Sequence, residues 1–280
     1  MKKKTKIRTT ETIVEPPRGW LNLRLDEVWD FRELLFFLIW RDIAVRYKQT
    51  ALGVLWAIIQ PVMTMVIFSV VFGKLAKLPS DGIPYPIFSY TAVLPWQLFS
   101  SGVGAATSCV VGNQNMISKT YFPRLILPIS SVLSGLVDFG IAFLVLFGMM
   151  FYYQIPFTWR ILVLPAFILF AIVTALAAGL WLATLNVRFR DIKYIIPFLM
   201  QFWQYATPIA YSSSLIPEQW RALYGLNPMA GVMDGFRWAM LGQSINFGPM
   251  FLVSFIVVLV LLISGLFYFQ RMEKTFADLI

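Results

Sequence analysis

From Ala51 to Gly73 the chain runs for 23 residues without a charged side chain. A helix needs about 20 predominantly apolar residues to cross the hydrocarbon core of a bilayer, so this run is long enough for one crossing. The stretch before it has a different solvent preference. Leu34–Trp40 is unbroken apolar sequence, bracketed by Arg32 and Glu33 on one side and by Arg41 and Asp42 on the other. It is too short to cross, and its charged flanks suit a helix lying in the membrane surface. Arg41, Arg46 and Lys48, with Asp42 as the one acid, then form a basic collar where lipid headgroups sit. The chain is expected to enter the membrane here, from its basic side.

A buried helix of a soluble protein is the alternative for such a run, and composition argues against it. Apolar residues make up 59% of the chain and charged residues 13%, where a soluble domain has about 45–50% and about 25%. The net charge of +9 points to anionic headgroups and the positive-inside rule, because no stretch reads as a nucleic-acid module. The single cysteine, Cys109, sits in an apolar run and is expected to be a packing residue. The absence of histidine removes the commonest general base and metal ligand.

Six spans are expected, near 51–73, 87–112, 128–153, 161–185, 195–211 and 247–269. Pro61 falls inside the first, which membrane helices tolerate when neighbours satisfy the freed carbonyl. Gly102, Gly104, Ala105 and Ala106 in the second would admit a close helix neighbour. Asp138 is the one charge placed inside a span, which makes it a candidate functional residue, with a structural hydrogen bond to a neighbouring helix as the alternative. Residues 212–246 are apolar but broken by Gly225, Pro228, Gly231 and Gly235, a pattern that fits two short helices dipping in from one face. Lys2, Lys3, Lys4 and Lys6 are followed by no apolar core, so the start does not read as a secretory signal.

The expected fold is an all-α polytopic membrane protein: six transmembrane helices, an N-terminal interfacial helix, and re-entrant helices between spans five and six. Its parts are a cytoplasmic tail (1–30), the interfacial amphipathic helix with the segment leading into the membrane (31–50), and the transmembrane domain (51–280) with its re-entrant region (212–246). Lys and Arg near the span ends number eleven inside against five outside when both termini are cytoplasmic, the orientation the positive-inside rule selects. No P-loop pattern occurs, and no paired carboxylates suggest catalysis or a metal. A conduit fits better than an enzyme.

The segment RDIAVRYKQTALGVLWAIIQP (41–61) resembles a motif of ABC-transporter permeases of the polysaccharide-export class, through Arg41, Asp42, Arg46, Tyr47, Leu52, Gly53, Trp56 and Pro61. The resemblance continues in Lys119, Phe122, Pro123 and Pro128, then in Asn186, Arg190 and Asp191. It recurs in Pro208, Ile209 and Tyr211, in Asn227 and Pro228, and in Glu273, Phe276 and Ala277. Thr207 departs from the serine expected before Pro208.

The resemblance implies the membrane subunit of an ATP-driven exporter in the bacterial inner membrane, moving a lipid-linked polysaccharide such as O-antigen out of the cytoplasm. Export of teichoic acid, a lipid or a drug by the same architecture is the alternative, with a membrane-embedded polyprenyl-sugar transferase as a third reading. The implied assembly is a homodimer with two copies of a separate ABC ATPase, which binds ATP and Mg; this chain holds no cofactor and no metal. Asn113, Gln114, Lys119, Tyr121, Phe122 and Arg124 would couple to the ATPase, unless the basic pair only contacts lipid phosphate. Arg41, Arg46, Tyr47 and Trp56 would form the substrate mouth, the first three having a headgroup-anchoring alternative. Asn227, Pro228 and Met229 would belong to the outer gate, and Arg190 with Asp191 would form a local ion pair.

Overall fold

A computed structural model describes residues 25–48, 53–243, 248–273 and 275–276. Most of the expected tail (1–24), Leu52, Asn246 and Ala277 therefore lie outside the described residues. Every regular element among those described is helical.

Helix α1 (Leu25–Asp30) leads into α2 (Arg32–Lys48). The expected surface helix is only the first half of α2. Nothing in the collar breaks a helix, and Arg46 and Lys48 occupy its last turn, where positive charge suits the helix dipole. The collar is thus helical, part of a rod packed along α6 (Ile126–Tyr152). Leu38 is fully buried while Phe36, Phe37 and Trp40 on its other faces stay exposed.

α3 (Leu55–Phe68) carries Pro61 internally and continues as a wider π turn over Ser69–Leu75. α4 (Tyr85–Gly112) follows, then the short α5 (Gln114–Lys119) and α6. A 3-10 turn (Trp159–Val163) opens into α7 (Leu164–Arg188), followed by α8 (Ile192–Ala206). The short α9 (Glu218–Tyr224) and α10 (Pro228–Leu241) precede α11 (Pro249–Glu273). The two short helices expected within 212–246 are present as α9 and α10.

Among the described residues, four helical stretches are long and apolar enough to cross a membrane: Leu55–Leu75, Ile126–Tyr152, Trp159–Arg188 and Pro249–Glu273. They match expected spans one, three, four and six. Only 11% of the most apolar part of the first, and 22% of the last, is buried inside the protein. Apolar surface facing outward is the inverse of a water-soluble fold and marks a lipid-facing ring.

The expected second and fifth spans differ for separate reasons. α4 has the length, 28 residues, but it is the central helix and carries more polar side chains. Thr91 and Thr107 donate to the carbonyls of Ile87 and Val103, each at 2.7 Å, so their hydroxyls cost little when enclosed by protein. α8 spans about 22 Å by helical rise and stops at Ala206, short of the expected Tyr211. Pro208 disfavours helix at the preceding residue, and Thr207 is extended.

Small residues set the closest crossings. A Cβ on Gly179 of α7 would come within 2.6 Å of the Ala106 Cβ on α4, and one on Gly235 of α10 would meet the Phe167 ring at 2.2 Å. Gly102 also faces α7, through Ala175, whereas Gly104 opens onto free space. One apolar cluster fills the bundle around α4, α6, α7 and α10. A second gathers Leu38, Cys109, Ile117, Phe122, Val187, Phe269 and Phe276 at one end. Cys109 is buried there, the packing residue its context suggests.

Candidate functional site

The last turn of α2 places Arg46 and Tyr47 against α6. The Arg46 guanidinium donates to Oδ2 of Asp138, and the Tyr47 hydroxyl donates to Oδ1. A second Arg46 nitrogen lies 3.5 Å from the Ser134 hydroxyl. Ser134 and Asp138 stand four residues apart, hence on one helix face. The pair is not sealed, since the Arg46 and Asp138 side chains are 37% and 31% exposed. Asp138 is therefore not a lone charge: two of the predicted mouth residues are its partners.

The pair borders a groove of about 530 Å³ formed by the end of α2, the start of α3, and α4, α6 and α8. Trp56 lies along it, with Gln60, Gln97, Ser100 and Ser101. Arg41 is elsewhere: it bonds to neighbouring Asp42 at 2.8 Å and does not line the groove. The 21 residues of Leu55–Leu75 match the roughly 20 that one crossing needs. Trp56 in the first turn of α3 shares the groove with Asp138, and Asp138 stands near the middle of α6. α6, with 27 residues, is about 40 Å long and overshoots the core.

At the end of the bundle holding the second apolar cluster, α5 projects as a small knob. Gln114, Lys119 and Tyr121 are exposed, while Ile117 and Phe122 are buried anchors. Phe122 thus supports the knob from within. Asn113 donates to the Cys109 carbonyl at 2.8 Å. Arg124 is tied to the end of α11: its guanidinium donates to the Glu273 carbonyl, and its backbone N–H donates to the Glu273 carboxylate at 3.1 Å. The expected ion pair between Arg190 and Asp191 does not form; Asp191 precedes α8 without a side-chain cap bond.

At the opposite end Asn227 is a junction. Its Oδ1 accepts from the Met229 backbone at 3.2 Å and from the Trp203 indole at 3.0 Å, and its Nδ2 donates to the Thr207 hydroxyl at 3.0 Å. Pro228 and Met229 are buried beneath it. Arg237, which the sequence offered only as an outside charge, is 1% exposed. It donates to the carbonyls of Ile209 and Tyr211 and sits 3.7 Å above the Phe88 ring.

Gln60 and Gln97 were missed as groove residues, and Ser134 as a neighbour of the Arg46 guanidinium. The signals for them were present: a Ser four residues before the one acid, and isolated amides within charge-free runs. Among the described residues no cluster of His, Cys, Asp or Glu could hold a metal. The arrangement can bind and orient a polar ligand, and it offers no nucleophile with an adjacent base.

The model of the ABC-2 type transporter family matches residues 33–241. The O-antigen export system permease protein RfbA of Myxococcus xanthus is 31% identical over 256 residues, covering 90% of this chain and 97% of that protein. Its namesake in Klebsiella pneumoniae is 27% identical over 89% and 95%. The polysialic acid transport protein KpsM of Escherichia coli is 24% identical over 85% and 92%. These relatives are named for transport and export, not for catalysis, and they are the class that the sequence motifs resemble. The groove, the outward apolar helices and this collinear likeness agree: the chain belongs to the ABC-2 type transporter family, as a multi-pass membrane permease.

Proposed function

We propose that this chain is the permease subunit of an ATP-driven exporter that carries a lipid-linked polysaccharide, O-antigen or a capsule-like glycan, out of the cytoplasm. The observation that carries this reading is the near full-length likeness to an O-antigen export permease, 31% identical across 90% of the chain. Likeness to a polysialic acid transport protein favours a capsule glycan as the second reading of cargo.

The machine is a homodimer with two ATPase subunits. ATP and Mg belong to those partners, and this chain supplies the path. Six crossings with both termini inside are supported by the way the chain alternates between the two ends of the bundle. Leu38 near the start and Phe269 and Phe276 near the finish meet in one cluster. The α5 knob receives the ATPase: Lys119 contacts it directly, and Ile117 and Phe122 pass displacement into the cluster that also holds α2 and the end of α11. α9 and α10 dip in from the outer face as the gate, with Asn227, Pro228 and Met229 at their junction. Arg46, Tyr47 and Trp56 form the inner mouth.

The test is to co-purify the chain with its ATPase and measure hydrolysis in nanodiscs with and without lipid-linked glycan. Glycan-dependent hydrolysis in the complex, and none by the permease alone, supports the reading. A complex that ignores glycan but responds to an unrelated lipid or drug would overturn it.

A further inference from the structure

We propose that Arg46 and Tyr47 form a seat for a phosphate or pyrophosphate group, and that the Asp138 carboxylate fills this seat in the empty permease as an internal stand-in. The proposal rests on the reading that the cargo is lipid-linked.

A carboxylate and a phosphate offer the same thing to a planar guanidinium: two acceptor oxygens at matching spacing. Arg46 and Tyr47 each take a different oxygen of Asp138, the way two donors would share a phosphate. The buried Ser134 hydroxyl, which donates to the Ser131 carbonyl, backs the Arg46 guanidinium from the α6 side. The contrast with Arg237 separates the two kinds of arginine in this protein. Arg237 is enclosed and spends its donors on backbone carbonyls, which fixes structure. Arg46 remains 37% exposed beside a carboxylate that is 31% exposed, on the wall of a groove with about 530 Å³ of space.

The groove lining points to the same ligand class. The seat opens on the groove beside the first turn of α3. Beyond it, Trp56, Gln60 and Gln97 line the groove, an aromatic face and two amides suited to the sugar attached to that phosphate. An arriving anion displaces Asp138, since the two like charges cannot share one seat. α2 then loses its tie to α6 at this point while Leu38 still holds its other half. Cargo arrival is in this way converted into freedom of the α2 terminus.

The experiment uses the full chain in phosphatidylcholine nanodiscs, titrated with inorganic pyrophosphate and with farnesyl pyrophosphate. Asp138→Asn removes the competitor and is expected to tighten binding about tenfold, the equivalent of about 1.4 kcal/mol and the low end for close charge pairs. Arg46→Gln abolishes binding. Arg46→Lys keeps the charge but not the fork, weakens binding about tenfold, and serves as the readout if Asp138→Asn fails to fold. Unchanged or weaker binding in a folded Asp138→Asn, or full affinity in Arg46→Lys, overturns the proposal. Phosphatidylglycerol nanodiscs separate the sources: inhibition of pyrophosphate binding there supports the seat and assigns it to bilayer headgroups, and undiminished farnesyl pyrophosphate binding supports it and assigns it to cargo. Glycan transport by the same complex is measured alongside. Transport with no Asp138 effect sinks the seat alone, and absence of transport in the unmodified complex sinks the reading beneath it.

Discussion

Replacing Asn227 tests whether the outer junction is held by one side chain. Asn227→Ala removes the cap on α10, at about 1 kcal/mol for a helix N-cap. It also breaks the bonds to Trp203 and Thr207, both 3.0 Å. Interhelical hydrogen bonds in membrane proteins average about 0.6 kcal/mol, so the sum is about 2 kcal/mol. Asn227→Asp keeps the acceptor for the Met229 and Trp203 N–H groups, loses only the donor to Thr207, and places negative charge at a helix N-terminus, where it is favourable. Its cost should stay under about 1 kcal/mol. The assay is equilibrium unfolding of the purified permease followed by tryptophan fluorescence, with Trp203 as a local reporter. The expected order is wild type, Asp, Ala. If Asp proved as damaging as Ala, or Ala cost less than about 0.5 kcal/mol, the junction would be held by something else.

Three further outcomes follow from the same geometry. Lys119→Glu should reduce co-purification of the ATPase without lowering the unfolding midpoint, whereas Arg124→Glu should lower the midpoint by breaking the tie to Glu273; pull-down and thermal melts tell them apart. Leu38→Ala should destabilise by about 2–5 kcal/mol because a fully buried leucine leaves a cavity, while exposed Phe36→Ala should stay within about 0.5 kcal/mol in detergent unfolding. Cys109, 5% exposed in the second cluster, should resist maleimide in the folded protein and react once it is unfolded, as mass spectrometry would show.

Much of the fold was legible because charge-free length is a strong signal, and α3, α6, α7 and α11 all announce themselves by it. The two short helices between Ser212 and Leu241 were legible from Pro and Gly breaking an apolar stretch. α4 was harder to judge: a helix surrounded by protein can carry threonines that bond to its own backbone, which dilutes its apolar signal. α8 ended early because Pro208 acts on the residue before it, a local rule outweighed in the sequence by the apolar run around it. The pairing within the collar was not legible for a tertiary reason. Arg46 and Tyr47 are adjacent in sequence to headgroup-type residues, but their partner Asp138 lies about ninety positions away. Only the packing of α2 on α6 brings them together. Arg124 looked like a free basic contact for the same reason, its partner Glu273 being the last residue of α11.

The most direct test of the central claim is movement of the glycan itself. Permease and ATPase are reconstituted in proteoliposomes with a fluorescent lipid-linked oligosaccharide, and its exposure on the far leaflet is followed by quenching. Exposure should require both subunits and ATP hydrolysis, and should fall with Lys119→Glu in proportion to lost assembly. Glycan crossing catalysed by the permease without any ATPase, or no crossing by the intact complex under hydrolysis, would contradict the account.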